Sequence, residues 1–462
     1  MTGSAVSTDG ELDGGSIPLR AILSHPNFHR FLIVLWGLWI VGTGFRMPFM
    51  RADEGDGYYF MQQVVEYRTM GVQGLHDSHP PLLVLYLDAF SRLFGENEDH
   101  FREWVFRTAM ILFALGTGLI VYEIGWLITE SRLSAFLSGM ALFYVPVFSY
   151  FSQRVSHESP TGFFIALTYF LHLKCIFEEN VPRKKKLLVY SALATMIGCQ
   201  FNFTAYFLIV SWALLFIEGR GELRRRIAVM SVVVFALSAV IFVGVTYAGH
   251  PQDFARQLIG TGAQRMSFGA NPGGKGHMST SDWFLYVYKK RLGMINPVAW
   301  VIAMGLAFFH PRRIIRRFYA VMVIIANLNV FVFSTGAVGW PCYFYFFAIP
   351  HAIAPWDLIL VLSRKFSWLG RAVPRRLALA GMLGLFFCAS QILVKQLFIT
   401  AGDPEDEQRY GDQLRNLDKW MITKPDMQPV YEAVRDKTLG AMGIHRDDRD
   451  YKRWMHSTGY FQ

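Results

Sequence analysis

Apolar and polar positions alternate along this chain on the scale of whole helices rather than single turns. Eleven apolar runs stand out, at 30–48, 106–128, 133–151, 160–177, 187–201, 203–217, 227–248, 294–309, 318–335, 342–362 and 377–399. A helical crossing of a bilayer takes about 20 residues, with a range of about 17–25. The pattern therefore predicts an all-α polytopic membrane protein with about eleven transmembrane helices. Two runs, 187–201 and 203–217, are parted only by the region around Asn202.

Basic residues set the expected orientation, because short cytoplasmic loops carry an excess of Lys and Arg. The clusters are Arg183–Lys186, Arg220 with Arg224–Arg226, Arg312, Arg313, Arg316 and Arg317, and finally Arg364, Lys365, Arg371, Arg375 and Arg376. With eleven spans all of them fall on the side of the N-terminus, whereas the loops 152–159, around 202 and 335–341 hold one arginine, Arg154. Residues 1–29 then read as a disordered cytoplasmic N-terminus, acidic and rich in Gly and Ser. The first span is too long for a cleaved signal and lacks a small-residue cleavage site, so it reads as a retained anchor. Residues 30–400 form the membrane domain, with long outer loops at 49–105 and 249–293, and 401–462 an extracytoplasmic tail.

Composition agrees. Of 462 residues, 53% are hydrophobic and 17% charged, which excludes an ordinary soluble enzyme of this length. The net charge of +10 does not imply nucleic acid, since the cations sit in clusters between apolar runs. Cys175, Cys199, Cys342 and Cys388 lie in or beside those runs, with neither a disulfide framework nor a zinc spacing.

The polar inventory is concentrated at the outer surface. A transporter places polar groups at mid-membrane depth on broken helices, yet interior polar groups here are few: Glu123, Asp357, Asn202, Asn327 and Asn329. The first outer loop opens with "ADEGDGYYF". Asp53 and Glu54 leave the first span at headgroup depth, where partial desolvation would raise a carboxylate's basicity into the range useful to a general base; a solvated helix-capping acid is the alternative for either one alone. A calcium loop is excluded, because Gly55 stands where an alternate acidic ligand is required. "GYYFMQQVVEYRTMG" predicts a short helix closed by Gly71. "HDSHPPLLVLYLDAFSRLF" predicts a second, with Asp77 or Ser78 near its N-cap and prolines in its first turn. Both are too short to span and are expected along the interface.

Glu158, preceded by His157, is a second acid at the same membrane face. His76, Asp77 and His79 suit a divalent metal such as zinc or manganese, with helix capping as the alternative. The loop 249–293 surrounds a Gly-rich centre with Arg265, Lys275, Lys289, Lys290 and Arg291. Cations on an outer loop run against the topology bias; binding a phosphate head group or contacting lipid would each explain them. Its "GGKG" lacks the spacing of a P-loop.

The order of elements resembles a known family. It runs from Asp-Glu after a first span, through an aromatic helix and a His-Pro-Pro-Leu element, to "FREWVFRTAMILFALGTGLIVYEIGWLI" and "AFLSGMALFYVPVFSYFSQRVSHESPTGFFIAL", with "YFYFFAIP" later. This is similar to the C-type integral-membrane glycosyltransferases, in the branch of protein O-mannosyltransferases and aminoarabinose transferases, over about residues 30–175. The resemblance implies a polyprenyl-phosphate-linked sugar donor, a glycan, lipid or protein acceptor, and an extracytoplasmic active site, here in a bacterial inner membrane. It implies Asp53 as catalytic carboxylate with Glu54 beside it, and Glu158 as the second acid, where relatives carry Asp. Tyr58, Tyr59, His79, His157, Arg265, Lys275, Lys289, Arg291 and Tyr345 are the implied substrate contacts. Ser78 stands where the aminoarabinose branch places a metal-holding Glu. The implied reaction is a single inverting displacement with Asp53 as base. A transporter or flippase of lipid-linked sugars and a scaffold protein are the competing classes; neither requires Asp53 and Glu158 on separate outer loops.

Overall fold

The computed structural model describes residues 25–42, 56–75, 80–96, 103–152, 154–246, 297–333 and 345–365. Expectations that fall on residues 1–24, on Asp53 and Glu54, on the loop 249–293, on the span 377–399 and on the tail 401–462 lie outside the described residues. Among the described residues every regular element is a helix. In chain order these are α1 (Pro26–Gly42), α2 (Asp56–Met70), α3 (Leu82–Leu93), α4 (Glu103–Thr129), α5 (Arg132–Leu142), α6 (Pro146–Phe151) and α7 (Glu158–Phe177). They continue as α8 (Val181–Phe201), α9 (Ile209–Glu218), α10 (Gly221–Thr246), α11 (Pro297–Phe309), α12 (Arg313–Phe333) and α13 (Ala348–Lys365).

The chain is a multi-pass membrane protein. Among the described residues, Trp104–Thr129, Glu158–Phe177, Gly221–Thr246 and Tyr345–Lys365 are long and apolar enough to cross a bilayer. Shorter apolar helices run over Pro26–Val41, Arg132–Leu142, Phe203–Glu218 and Pro297–Phe309. Along α10, Val229, Val232, Val233, Leu237 and Val240 are exposed, where a soluble bundle would present charge. Hydrocarbon is the solvent such a face fits.

Two predicted spans are interrupted, each for a local reason. The run 133–151 divides into α5 and α6 because Pro146 lacks an N–H and pushes Val145 out of the helical region, to φ −73, ψ 116. The run 203–217 begins as a 3-10 helix over Phe203–Leu208. Asn202 ends α8 in extended conformation, and its side chain accepts from Thr204 N at 3.0 Å, so it caps the tighter turn. Gly71 closes α2 as expected, at φ +62, and leads into a 3-10 turn over Gly71–Gly74. The second loop helix departs from expectation. Its N-cap is Pro81 without a side-chain cap bond, so the prolines precede the first turn; Asp77 and Ser78 lie outside the described residues.

The helix ends sort by charge. At one end Arg30 pairs with Glu123 at 2.5 Å, joining α1 to α4. Glu130 after α4 takes Arg312 and, at 3.8 Å, Arg364, and Arg317 on α12 pairs with Glu218 on α9. Asp357, fully enclosed nearby, accepts from the Tyr319 hydroxyl at 3.1 Å and faces His310 Nε2 at 3.3 Å. These are the ends that carry the basic clusters. At the opposite end α2 and α3 pack over α4, through Phe60, Val64, Leu83, Leu87, Phe106 and Met110.

The two loop helices are locked by a buried ion pair. Arg68 Nε meets Asp88 Oδ1 at 2.5 Å, while its other nitrogens donate to Ser91 Oγ at 2.8 Å and the Glu96 carbonyl at 3.2 Å. Arg92 also binds Asp88, at 3.0 Å. Breaking a buried pair by removing one partner leaves the other charge desolvated, at a cost of about 3–5 kcal/mol. Asp88→Ala is therefore expected to lower the thermal unfolding midpoint of the detergent-solubilised protein much further than Arg92→Ala, whose guanidinium is exposed. Equal effects would refute this role for the pair.

Candidate functional site

The site is built on the start of α7. Glu158 is its first residue, and the unsatisfied N–H groups of a first helical turn make that position electropositive and suited to a carboxylate. Glu158 is 6% exposed, and His157 Nε2 lies 3.1 Å from Glu158 Oε1. The junction is fixed locally, since Thr161 donates to the His157 carbonyl through both its N–H, at 3.1 Å, and its hydroxyl, at 2.6 Å.

Neighbouring elements close around this pair. The Phe60 ring of α2 meets the His157 ring edge to face, with centroids 5.8 Å apart. Helix α2 and the 152–159 loop therefore touch at His157. Ser159 donates to the Met110 carbonyl at 2.9 Å, tying α7 to α4. From the segment leading into α13, Tyr345 stacks on Phe148 of α6 at 5.1 Å and places its hydroxyl 3.5 Å from Ser152 Oγ. A methyl group on Gly162 would fall on Tyr345 Cε1, so glycine is what admits the tyrosine against α7.

Buried polar groups continue around the same end. Arg107 is 3% exposed and Arg154 7%, flanking Phe106 and Val155 of the apolar cluster that holds α2 and α3. The Arg154 guanidinium lies over the Phe151 ring at 5.5 Å. Gln63 and Glu66, on α2, are likewise buried, so this helix is enclosed for a full turn rather than along one stripe. Tyr86 on α3 donates to the Ala109 carbonyl at 3.3 Å, and burial pushes its phenol up to about 12, which leaves it neutral and a packing group. A carboxylate–imidazole pair can accept and hold a proton, and buried guanidinium groups at the same end of the bundle can stabilise an anion.

Of the residues singled out by the sequence, Glu158, His157 and Tyr345 share this one end of the bundle. Tyr58 and Tyr59 belong to α2, directly before Phe60, and their side chains are outside the described set. Asp53, Glu54, His76, Asp77, His79, Arg265, Lys275, Lys289 and Arg291 lie outside the described residues. Among the described residues no group of three or more His, Cys, Asp or Glu side chains is placed to hold a metal. Sequence reasoning did not single out Phe60, Ser152, Ser159, Gly162 or Arg107. Small residues following Glu158 were the available signal, since Ser159 and Gly162 fall at helical spacing on the face that meets α4 and Tyr345.

A family model described as dolichyl-phosphate-mannose-protein mannosyltransferase matches residues 78–245. No curated protein matches the chain. The fold is that of the archaeal oligosaccharyltransferase AglB from Archaeoglobus fulgidus in complex with an inhibitory peptide and a dolichol-phosphate, at TM-score 0.55 and 13% identity. That match covers 96% of this chain and 64% of the other. A second structure of the Archaeoglobus fulgidus oligosaccharyltransferase, with Zn and sulfate, matches at TM-score 0.54 and 14% identity, covering 94% of this chain and 61% of that one. The chain thus spans less than two thirds of the proteins it resembles in fold. ArnT from Cupriavidus metallidurans bound to undecaprenyl phosphate gives TM-score 0.47 and 16% identity over 93% and 77%, too distant for the fold to rest on it.

The Gly162 contact makes a sharp expectation. Gly162→Val forces Tyr345 off Phe148, and overpacking of this kind costs about 1–3 kcal/mol. Pairing it with Tyr345→Ala, which opens the space, should recover most of the loss in thermal unfolding midpoint. Additive losses in the double variant would show that the two positions do not meet.

Proposed function

We propose that this chain, which has the fold of the C-type integral-membrane glycosyltransferases, moves a sugar from a polyprenyl-phosphate donor to an acceptor hydroxyl at the extracytoplasmic face of a membrane. Residues 30–400 are the transferase domain in this reading, and 401–462 an appended outer tail. The observation that carries it is the contact of Phe60 with His157, which brings the loop following Asp53 and Glu54 onto the loop that ends in Glu158. Two acids reached from different outer loops are what the resemblance calls for. The family match over residues 78–245 covers α3 through most of α10 and includes Glu158. A flippase gains nothing from that convergence.

The chemistry follows from the bond being exchanged. A polyprenyl phosphate is already a competent leaving group, so the donor needs charge stabilisation more than protonation. Arg107 and Arg154, with Arg265, Lys275, Lys289 and Arg291 of the long outer loop, supply cations for that phosphate. Asp53 takes the acceptor hydroxyl proton as its oxygen attacks the anomeric carbon. The bond from that carbon to the phosphate oxygen breaks, its electron pair leaves with the polyprenyl phosphate, and the configuration inverts. Glu158, oriented through His157, holds sugar hydroxyls, with Tyr345 packed at the same end of the bundle. His76, Asp77 and His79 are the donors that would hold a divalent cation, whose contribution would be charge neutralisation on the phosphate. The prenyl tail stays in hydrocarbon, which is why the acids belong at headgroup depth.

Asp53→Asn is expected to reduce sugar transfer from a polyprenyl-phosphate sugar to acceptor by about 10²–10⁴-fold, the range for loss of a general base, with an unchanged unfolding midpoint. Full activity in this variant would remove Asp53 from the mechanism. Glu158→Gln should raise the donor KM while leaving less effect on kcat, as expected for a binding group. Mass spectrometry of cell-envelope glycans and lipid-linked sugars, with and without the protein, identifies the sugar: one glycan loses it and its lipid-linked form accumulates.

A further inference from the structure

The opposite end of the bundle holds a second site. A cavity of about 630 Å³ opens where the end of α7, the end of α9 and the start of α12 meet. Arg220, Arg224, Arg312, Arg313 and Arg317 line it, against the single acid Glu218. It lies a helix length from Glu158, about 30 Å along α7 at 1.5 Å per residue, and so is separate from the candidate transfer site.

These arginines are not consumed by one another's partners. Arg317 is paired with Glu218, and Arg312 reaches Glu130, but the Arg312 Nε is buried and makes no hydrogen bond among the described residues. Arg224 caps α9 by donating to the carbonyls of Phe216, Ile217 and Gly219. Arg220 and Arg313 make no side-chain hydrogen bond or ion pair among the described residues. Arg313, Ile314 and Ile315 form the first turn of α12, where leading N–H groups have no partner within the helix and favour an anion. One wall is apolar: Phe177 and Ile217 border the cavity, at 39% and 53% exposed, next to Phe216 at 40%. The cavity thus joins a cationic floor to a surface that faces hydrocarbon.

We infer that this cavity binds the phosphate of an anionic phospholipid headgroup, with the acyl chains lying along Phe177, Phe216 and Ile217. A soluble phosphate compound would use the arginines and leave the apolar wall without purpose. A lipid uses both. By the distribution of basic loops this end faces the cytoplasmic leaflet, where anionic lipids attract Lys and Arg at about 1 kcal/mol per residue.

Native mass spectrometry of the full chain in detergent, titrated with phosphatidylglycerol, phosphatidylcholine or inorganic phosphate, tests this. Phosphatidylglycerol should be retained at least about 5-fold over phosphatidylcholine, and Arg220→Ala with Arg313→Ala should reduce that retention about 10-fold or more. Arg225→Ala with Arg316→Ala, which removes two cations outside the cavity, should leave it nearly unchanged. Where the first pair fails to fold, Arg313→Glu alone, at an exposed position, gives the same reading. Equal retention of the two lipids, displacement of phosphatidylglycerol by equimolar inorganic phosphate, or an equal loss in the control pair would each overturn the inference.

Discussion

The structure depends on how closely α7 lies against α4 and the segment entering α13. Two small residues set that distance. Ser159 reaches the Met110 carbonyl, and Gly162 leaves room for the Tyr345 ring. Lipid tails are as apolar as leucine, so burial of apolar surface does little to hold transmembrane helices together; close approach and interhelical hydrogen bonds do more. Both contacts lie within the first turns of α7, and the residue they immobilise is Glu158. A carboxylate at this depth needs a fixed partner because hydrocarbon offers no water to solvate it. His157 supplies that partner at 3.1 Å. Packing of small residues and placement of the acid are one arrangement.

Charge is then divided between two ends with different tasks. At the basic end, the pairs Arg30–Glu123, Arg312–Glu130 and Arg317–Glu218 each connect helices distant in sequence. The enclosed Asp357 is met by Tyr319 and His310. At the other end the ion pair Arg68–Asp88 ties the two short helices α2 and α3 together. Between the ends some buried polar groups satisfy one another, as where Thr195 accepts from Trp212 Nε1 at 3.1 Å and donates to the Ser191 carbonyl at 2.8 Å, while both ring nitrogens of the buried His351 make no hydrogen bond among the described residues.

Much of this was legible in the sequence because hydropathy and charge act over whole helices. The positions of the described helices and the gathering of basic clusters at one end follow from run lengths and loop charges, whereas Tyr345 stands out only through the family resemblance of "YFYFFAIP". What escaped were contacts decided by a single atom or bond. Pro146 divides a predicted span because it lacks one N–H, and Asn202 tightens the next helix through one side-chain acceptor. The burial of Gln63 and Glu66 could not be seen from periodicity, because α2 is covered by neighbours contributed from remote parts of the chain. Phe60 is a comparable case: nothing local marks it as the ring that meets His157.

One helix, α7, joins the two ends. Under the proposed transferase reading, the acids must stay at the depth where the lipid phosphate sits. Sliding the bundle by one helical turn moves every group by about 5.4 Å, more than the reach of a hydrogen bond. Apolar length alone fixes depth poorly, since mismatch costs only fractions of a kcal/mol per Å. Charged groups at the far end constrain it better, because arginines resist entering hydrocarbon and favour anionic headgroups. The arginine-lined cavity stands at the other end of the same helix that begins with Glu158. A lipid seated there would hold α7 against vertical displacement, and with it the carboxylate about 30 Å away along that helix.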